Sequence, residues 1–241
     1  MVPTSFSRPI TVFHGRTAPE PGILVGYGAV IEALQLPVPL PRDVALISAK
    51  RRQYHVAGWR VFTPRHAPAE TLWAHLVFAL KYEGLDLLFF KQLFTQLPTH
   101  TVTEWVRHAP QSRYARRVWF LYEWLLAQRL DLPDLTQGNY VPVVDEQLQY
   151  ATATGASVPR QRLRNNLPGV AGFCPLVHKS AKLEQYLARD LAGRAEHVLR
   201  GLHADVLVRT SAFLLLKDSK ASFTIEGEQP APTRALRWGR A

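Results

Sequence analysis

The sequence predicts a mainly α protein with minor β: a multi-helical N-terminal region followed by a second helical segment. Three observations predict it. Apolar residues recur at helical spacing in several blocks separated by proline and glycine. Only one stretch, residues 54–62, combines β-branched and aromatic residues in the manner of a strand. The 241 residues, 47% hydrophobic and 20% charged, provide ample chain for a core and exclude a disordered or low-complexity protein.

In chain order, residues 1–25 are rich in Pro, Gly and Thr and read as irregular. Tyr27 to Leu34 reads as a short helix stopped by Pro37, Pro39 and Pro41. A second helix is predicted after Asp43 as N-cap, with Val44 and Ile47 on one face. Tyr54 to Phe62 reads as a strand ending at Pro64. Thr71 to Lys81 places Leu72, His75, Leu76 and Ala79 at helical spacing, and Gly84 ends it. Leu85 to Leu97 repeats the pattern up to Pro98, and Ser112 to Leu130 is the strongest helix, with Val118, Leu121, Tyr122 and Leu125 aligned. From Leu132 to Pro175 the texture changes: five prolines and four glycines predict an irregular excursion with some β character. Helices resume over Lys182–Gly193, on or restarting to Leu202, and over Asp205–Lys217, with Pro230 and Pro232 ending regular structure. The expected division is 1–131, 132–179 and 180–241.

One cysteine, Cys174, excludes an intramolecular disulfide and a cysteine zinc cluster. No secretory signal or membrane-length apolar run is visible, so a soluble, cytoplasmic chain with no membrane partner is expected. The formal net charge is +10, and the cations fall in local clusters: Lys50-Arg51-Arg52, Arg113 with Arg116-Arg117, Arg160 with Arg162 and Arg164, and Arg234, Arg237 and Arg240. Arg113, Arg116 and Arg117 share a segment with Trp119, Phe120 and Trp124. Together with Arg160, Arg162 and Arg164 they are candidate nucleic-acid contacts; for the helix the plainer reading is that Trp119, Phe120 and Trp124 are packing residues and its arginines a solvated or salt-bridged N-terminal turn.

Several catalytic signatures are missing: no P-loop, no His-Glu-x-x-His, no Gly-x-Ser-x-Gly. Gly26-Tyr27-Gly28 is a lone Gly-x-Gly and reads as a turn rather than a dinucleotide fingerprint. The nine histidines are scattered, and His75, among Leu72, Leu76 and Phe78, reads as a core histidine; no metal site is expected. The most informative segment is Ser222-Phe223-Thr224-Ile225-Glu226-Gly227. On a helix Ser222 and Glu226 share a face, and Gly227 suits a left-handed C-cap. A carboxylate in the last turn opposes the macrodipole, so an arginine from elsewhere would compensate it. The plain alternative is a solvated helix-end carboxylate.

Ser222-x-x-x-Glu226-Gly227, with Ala212–Ala221 before it, resembles the inhibitory helix of the Fic (Fido) family, over about 218–227. The likeness extends upstream through residues 62–68, 79–84, 138–143 and 164–169. This resemblance implies a Fic-type helical fold and AMP transfer from ATP to a protein hydroxyl. The family's chemistry sits on a loop reading His-x-Phe-x-Asp/Glu-Gly-Asn-Gly-Arg, where the histidine is the general base and the acid holds Mg²⁺. None of the histidines here begins that motif, so the chain has no catalytic residue of its own and is expected to be inactive alone. It resembles the N-terminal regulatory part, with Glu226 occupying a core arginine that otherwise clamps ATP, and Ser222 and Gly227 in support. ATP and Mg²⁺ are expected only with a Fic catalytic core, in cis or in trans. The alternatives are a separate trans-acting inhibitor of a Fic enzyme and a basic nucleic-acid-binding regulator.

Overall fold

The computed structural model describes residues 5–227, which belong to two units, Met1–Lys179 and Ser180–Ala241. Mainly α with minor β is the observed class. The prolines Pro230 and Pro232, Glu228 and the terminal arginines lie outside the described residues.

The first unit opens on a hairpin where the sequence reads as irregular: β1 (Pro9–Phe13) pairs antiparallel with β2 (Arg16–Leu24). Pro19 and Pro21 obscure β2 in the sequence, yet they fall in its middle, outside the paired positions at Arg16–Thr17 and Gly22–Ile23, so no ladder hydrogen bond is lost. Next comes α1 (Gly26–Leu34), ended by Gln35 in a left-handed conformation. The helix expected after Asp43 is instead a strand, β3 (Val44–Ile47). Val44 and Leu46 pack on one face with Leu24, Trp59 and Val61, while Ala45 and Ile47 pack on the other with Phe62 and Phe78. Cover on both faces makes the run apolar throughout, a pattern that does not distinguish a buried strand from a short helix.

The predicted strand over 54–62 is two, β4 (Tyr54–Val56) and β5 (Trp59–Phe62), joined by a turn at Ala57-Gly58. The sheet order is β1-β2-β3-β5-β4, with β3 parallel to β5. A short 3-10 turn (Pro64–His66) leads to α2 (Leu72–Tyr82), whose N-cap Thr71 accepts from Ala74 N–H, and to α3 (Leu87–Gln96), capped by Asp86 on Phe89 N–H. A helix the sequence reading lacks, α4 (Thr99–His108), follows; its Thr- and His-rich start gives little helical signal. The last helix of this unit, α5 (Arg113–Leu126), stops short of the expected Leu130 because Ala127 turns left-handed at φ 52°.

The core lies among α1, α2, α3 and α5, with Leu76, Phe89, Phe90, Leu93, Val118 and Leu121 fully buried. Each such side chain contributes about 1.5–3 kcal/mol by leaving water. The Pro/Gly-rich excursion packs onto the same core through Val143, Val144, Leu163 and Leu167. It carries a three-stranded sheet, order β6-β8-β7, from β6 (Val141–Pro142), β7 (Ala156–Val158) and β8 (Leu163–Asn165). The buried Asn166 side chain fixes it by accepting from Val144 N–H and donating to Val144 O.

In the second unit, α6 (Ala181–Leu187) and α7 (Leu191–Leu199) are separated by Asp190, which sits at φ 45° and caps α7. The last helix, α8 (Ala204–Ile225), is 22 residues long and runs without a break through the segment expected as a separate helix over 218–227.

Candidate functional site

The Ser222/Glu226 segment forms the C-terminal end of α8. His203 caps the other end, and Asp205 in the first turn pairs with Arg209 one turn on, both favourable to the macrodipole and to helix propagation. Glu226 N–H donates to Ser222 O at 3.1 Å, closing the last α-helical turn, and Gly227 N–H donates to Thr224 O at 3.2 Å. Gly227 has φ 72°, the left-handed geometry anticipated from its position. Ser222 and Glu226 are both exposed, and neither side chain has a hydrogen-bond or ion-pair partner among the described residues. The Glu226 carboxylate belongs to the C-terminal end of the helix, where the macrodipole is negative, so two negative features converge on one place. Their natural complement is a guanidinium, which can donate to carboxylate and carbonyl together.

The body of α8 is as unusual as its end. Val206, Leu207, Val208, Phe213, Leu214, Leu215 and Leu216 are distributed around the whole circumference at 3.6 residues per turn. Phe213 is 64% exposed and Val208 66%. No described residue of α6, α7 or α8 is buried. Charged residues interleave with the apolar ones (Asp205, Arg209, Lys217, Asp218 and Lys220), so α8 carries no single apolar stripe.

The candidate nucleic-acid arginines have other work. Arg116 and Arg117 are buried on α5: Arg116 donates to Asn139 O at 2.8 Å and to Arg162 O at 3.2 Å, and Arg117 Nε donates to Pro142 O at 2.8 Å. Arg160 reaches from the excursion to Glu123 at 3.0 Å, to Asp134 and to Leu130 O at 2.7 Å, and lies over the Trp119 ring. Arg162 donates to Gly138 O at 2.6 Å, Arg164 pairs with Glu146 at 2.7 Å, and Arg113 stacks on Tyr114. These arginines fasten the excursion to α5 or meet local groups, and Arg116 and Arg117 are buried on backbone carbonyls rather than forming a solvated or salt-bridged turn. The acid that Arg160 meets, Glu123, was not legible in the sequence. It accepts from Trp119 Nε1 at 2.8 Å, Leu130 N–H at 3.0 Å and Gln161 Nε2 at 2.7 Å besides Arg160. Burial pushes its pKa up, but Arg160, Trp119 and Leu130 more than offset that and hold it below the usual carboxylate value.

At Gly26-Tyr27-Gly28 a strand does precede the helix, contrary to the sequence reading, yet the helix start is already filled. Gly26 N–H donates to His75 Nδ1 at 3.2 Å and Tyr27 N–H to Glu83 Oε2 at 3.0 Å. Gly26 has φ +66°, and a Cβ there would lie 1.8 Å from that carboxylate oxygen. A phosphate has no room where Glu83 sits. His75 is the core histidine expected; with Nδ1 accepting, its Nε2 carries the proton toward Ser7 Oγ at 3.2 Å. Among the described residues no group of three or more His, Cys, Asp or Glu is placed to hold a metal ion, and no helix is long and apolar enough to cross a membrane.

No family model, curated protein or solved structure matches this chain.

Proposed function

We propose that this chain is the regulatory part of a Fic-type protein AMP-transferase, with Glu226 as the residue that obstructs productive ATP binding in a catalytic core supplied in cis or in trans. The observation that supports it is the end of α8: an exposed Glu226, without a side-chain partner among the described residues, one turn after Ser222 on a helix with several exposed apolar side chains. An arginine withdrawn into a pair with Glu226 no longer clamps a triphosphate, and the added negative charge opposes the phosphates directly. A displacement of the α-phosphate by ~1 Å costs in-line attack on the order of 100-fold. Beside Glu226 this end of α8 carries the hydroxyls of Ser222 and Thr224, and in this role the chain only acts on the sites of ATP and Mg²⁺. Both would be held by the core, and no chemical step is assigned to residues of this chain.

Calorimetric titration of the chain against a Fic core stripped of its own inhibitory helix tests the pairing. Saturable binding is expected, weakened at least about tenfold by Glu226→Gln, because the core guanidinium is then left desolvated without its counter-charge. Ser222→Ala should cost less. Absent binding, or equal binding by Glu226→Gln, would refute the proposal.

A further inference from the structure

The stretch between Asp43 and Glu70 contains no acidic residue, while it carries Lys50, Arg51, Arg52, Arg60 and Arg65. The fold gathers part of that charge at one place. Because β3 and β5 run parallel, with Ile47 opposite Phe62 and Ser48 N–H donating to Phe62 O at 2.9 Å, both strands end side by side. The loop 48–53 and the turn Pro64–His66 therefore leave the same edge of the sheet. Lys50 is paired with Glu20, and Arg60 turns inward to Tyr82 O over the Phe62 ring. Arg51, Arg52 and Arg65 are exposed, and among the described residues none of them has an ion pair.

We propose that this end of the sheet binds the sugar–phosphate backbone of a nucleic acid, through Arg51, Arg52 and Arg65. The inference is independent of the Fic reading and uses none of the arginines around α5, of which Arg116 and Arg117 are buried and Arg160 and Arg164 are paired with acids. The choice of partner follows from what accompanies the charge. The exposed residues here are Ala49, Lys50, Arg51, Arg52 and Gln53 on one loop and Pro64, Arg65 and Ala67 on the other. No exposed large hydrophobic side chain lies among them. A protein partner needs an aromatic or aliphatic anchor that becomes buried, whereas a phosphate backbone is bound by charge and guanidinium geometry alone. Contacts of this kind position a duplex without reading its sequence.

The test is fluorescence anisotropy of a labelled 20-base-pair duplex (roughly two helical turns) with the full chain, titrated with salt. Wild-type binding should weaken linearly in log salt, with a slope of about −0.9 per phosphate contacted. The triple variant Arg51→Ala, Arg52→Ala, Arg65→Ala should bind more than about tenfold more weakly at low salt, with a slope reduced by roughly 2–3. A control triple, Lys91→Ala, Lys182→Ala, Arg194→Ala, removes the same formal charge elsewhere and should retain binding. Thermal unfolding of both variants checks that exposed positions were changed without loss of fold. No duplex binding by wild type, an equal loss in the control, or equal competition by polyglutamate would each overturn the proposal.

Discussion

Glu83 is half-buried, but its carboxylate is shielded from solvent, with one oxygen on the Tyr27 N–H and the other, Oε1, without a partner among the described residues. Burial pushes its pKa up to about 8, against the opposing pull of Tyr27 N–H and Arg60. A carboxyl whose folded pKa exceeds its unfolded value favours folding fully at low pH and loses that contribution as pH rises from about 4.5 through about 8. The loss amounts to about 1.4 kcal/mol per pH unit within the window. His75 acts in the opposite sense: burial lowers its pKa, so its contribution is lost as pH falls below its ordinary value of 6.5. Urea unfolding at about pH 7 and pH 8 isolates the carboxyl. Wild type should lose stability between the two, and Glu83→Gln, which keeps an acceptor for Tyr27 N–H and does not titrate, should not. Parallel pH profiles for the two proteins would sink this account. Gly26→Ala should destabilise strongly at any pH, since both the space and the positive φ are lost.

Among elements, α5 and the excursion behave as one piece because Glu123 and Arg160 join them with both side chains largely out of solvent, at 16% and 13% exposure. Removing one member of such a pair leaves the other charged and unsatisfied. Glu123→Ala should therefore cost about 3–5 kcal/mol in denaturant unfolding, whereas Arg113→Ala, on the surface, should stay within about 0.5 kcal/mol. A Glu123→Ala loss under about 1 kcal/mol would show the pair to be incidental. These elements also mark what was legible in the sequence. α2 and α3 were, since Thr71 and Asp86 provide caps and the apolar spacing is regular. β3 was not, because cover on both faces erases the alternation that identifies a strand. β2 was not, because its prolines occupy a stretch where no ladder bond is required. The Arg113, Arg116 and Arg117 cluster was visible as charge, but only the Asn139, Pro142 and Arg162 carbonyls, distant in sequence, reveal what two of those guanidiniums do. At the candidate site the turn geometry of Glu226 and Gly227 was readable locally, while the unbroken length of α8 was not.

At the scale of the molecule the two units differ in kind. The first buries an extensive core; the second shows no buried residue along its described helices. A chain ending at Lys179 should keep the cooperative unfolding and near-ultraviolet signal of Trp59, Trp73, Trp105, Trp119 and Trp124, all of which lie in the first unit. A molten first unit in that truncation would contradict the division. The proposed function requires that α8 dock on a Fic core and present Glu226 to an arginine there. The most direct measurement joins residues 1–227 to a Fic core lacking its own inhibitory helix and follows transfer of labelled AMP from ATP, with ATP-induced thermal stabilisation confirming a folded core. The wild-type joint protein should be nearly silent, and Glu226→Gly should raise labelling by roughly 100-fold or more. Equal labelling by the two proteins, whether high or low, would contradict the claim that Glu226 is the brake.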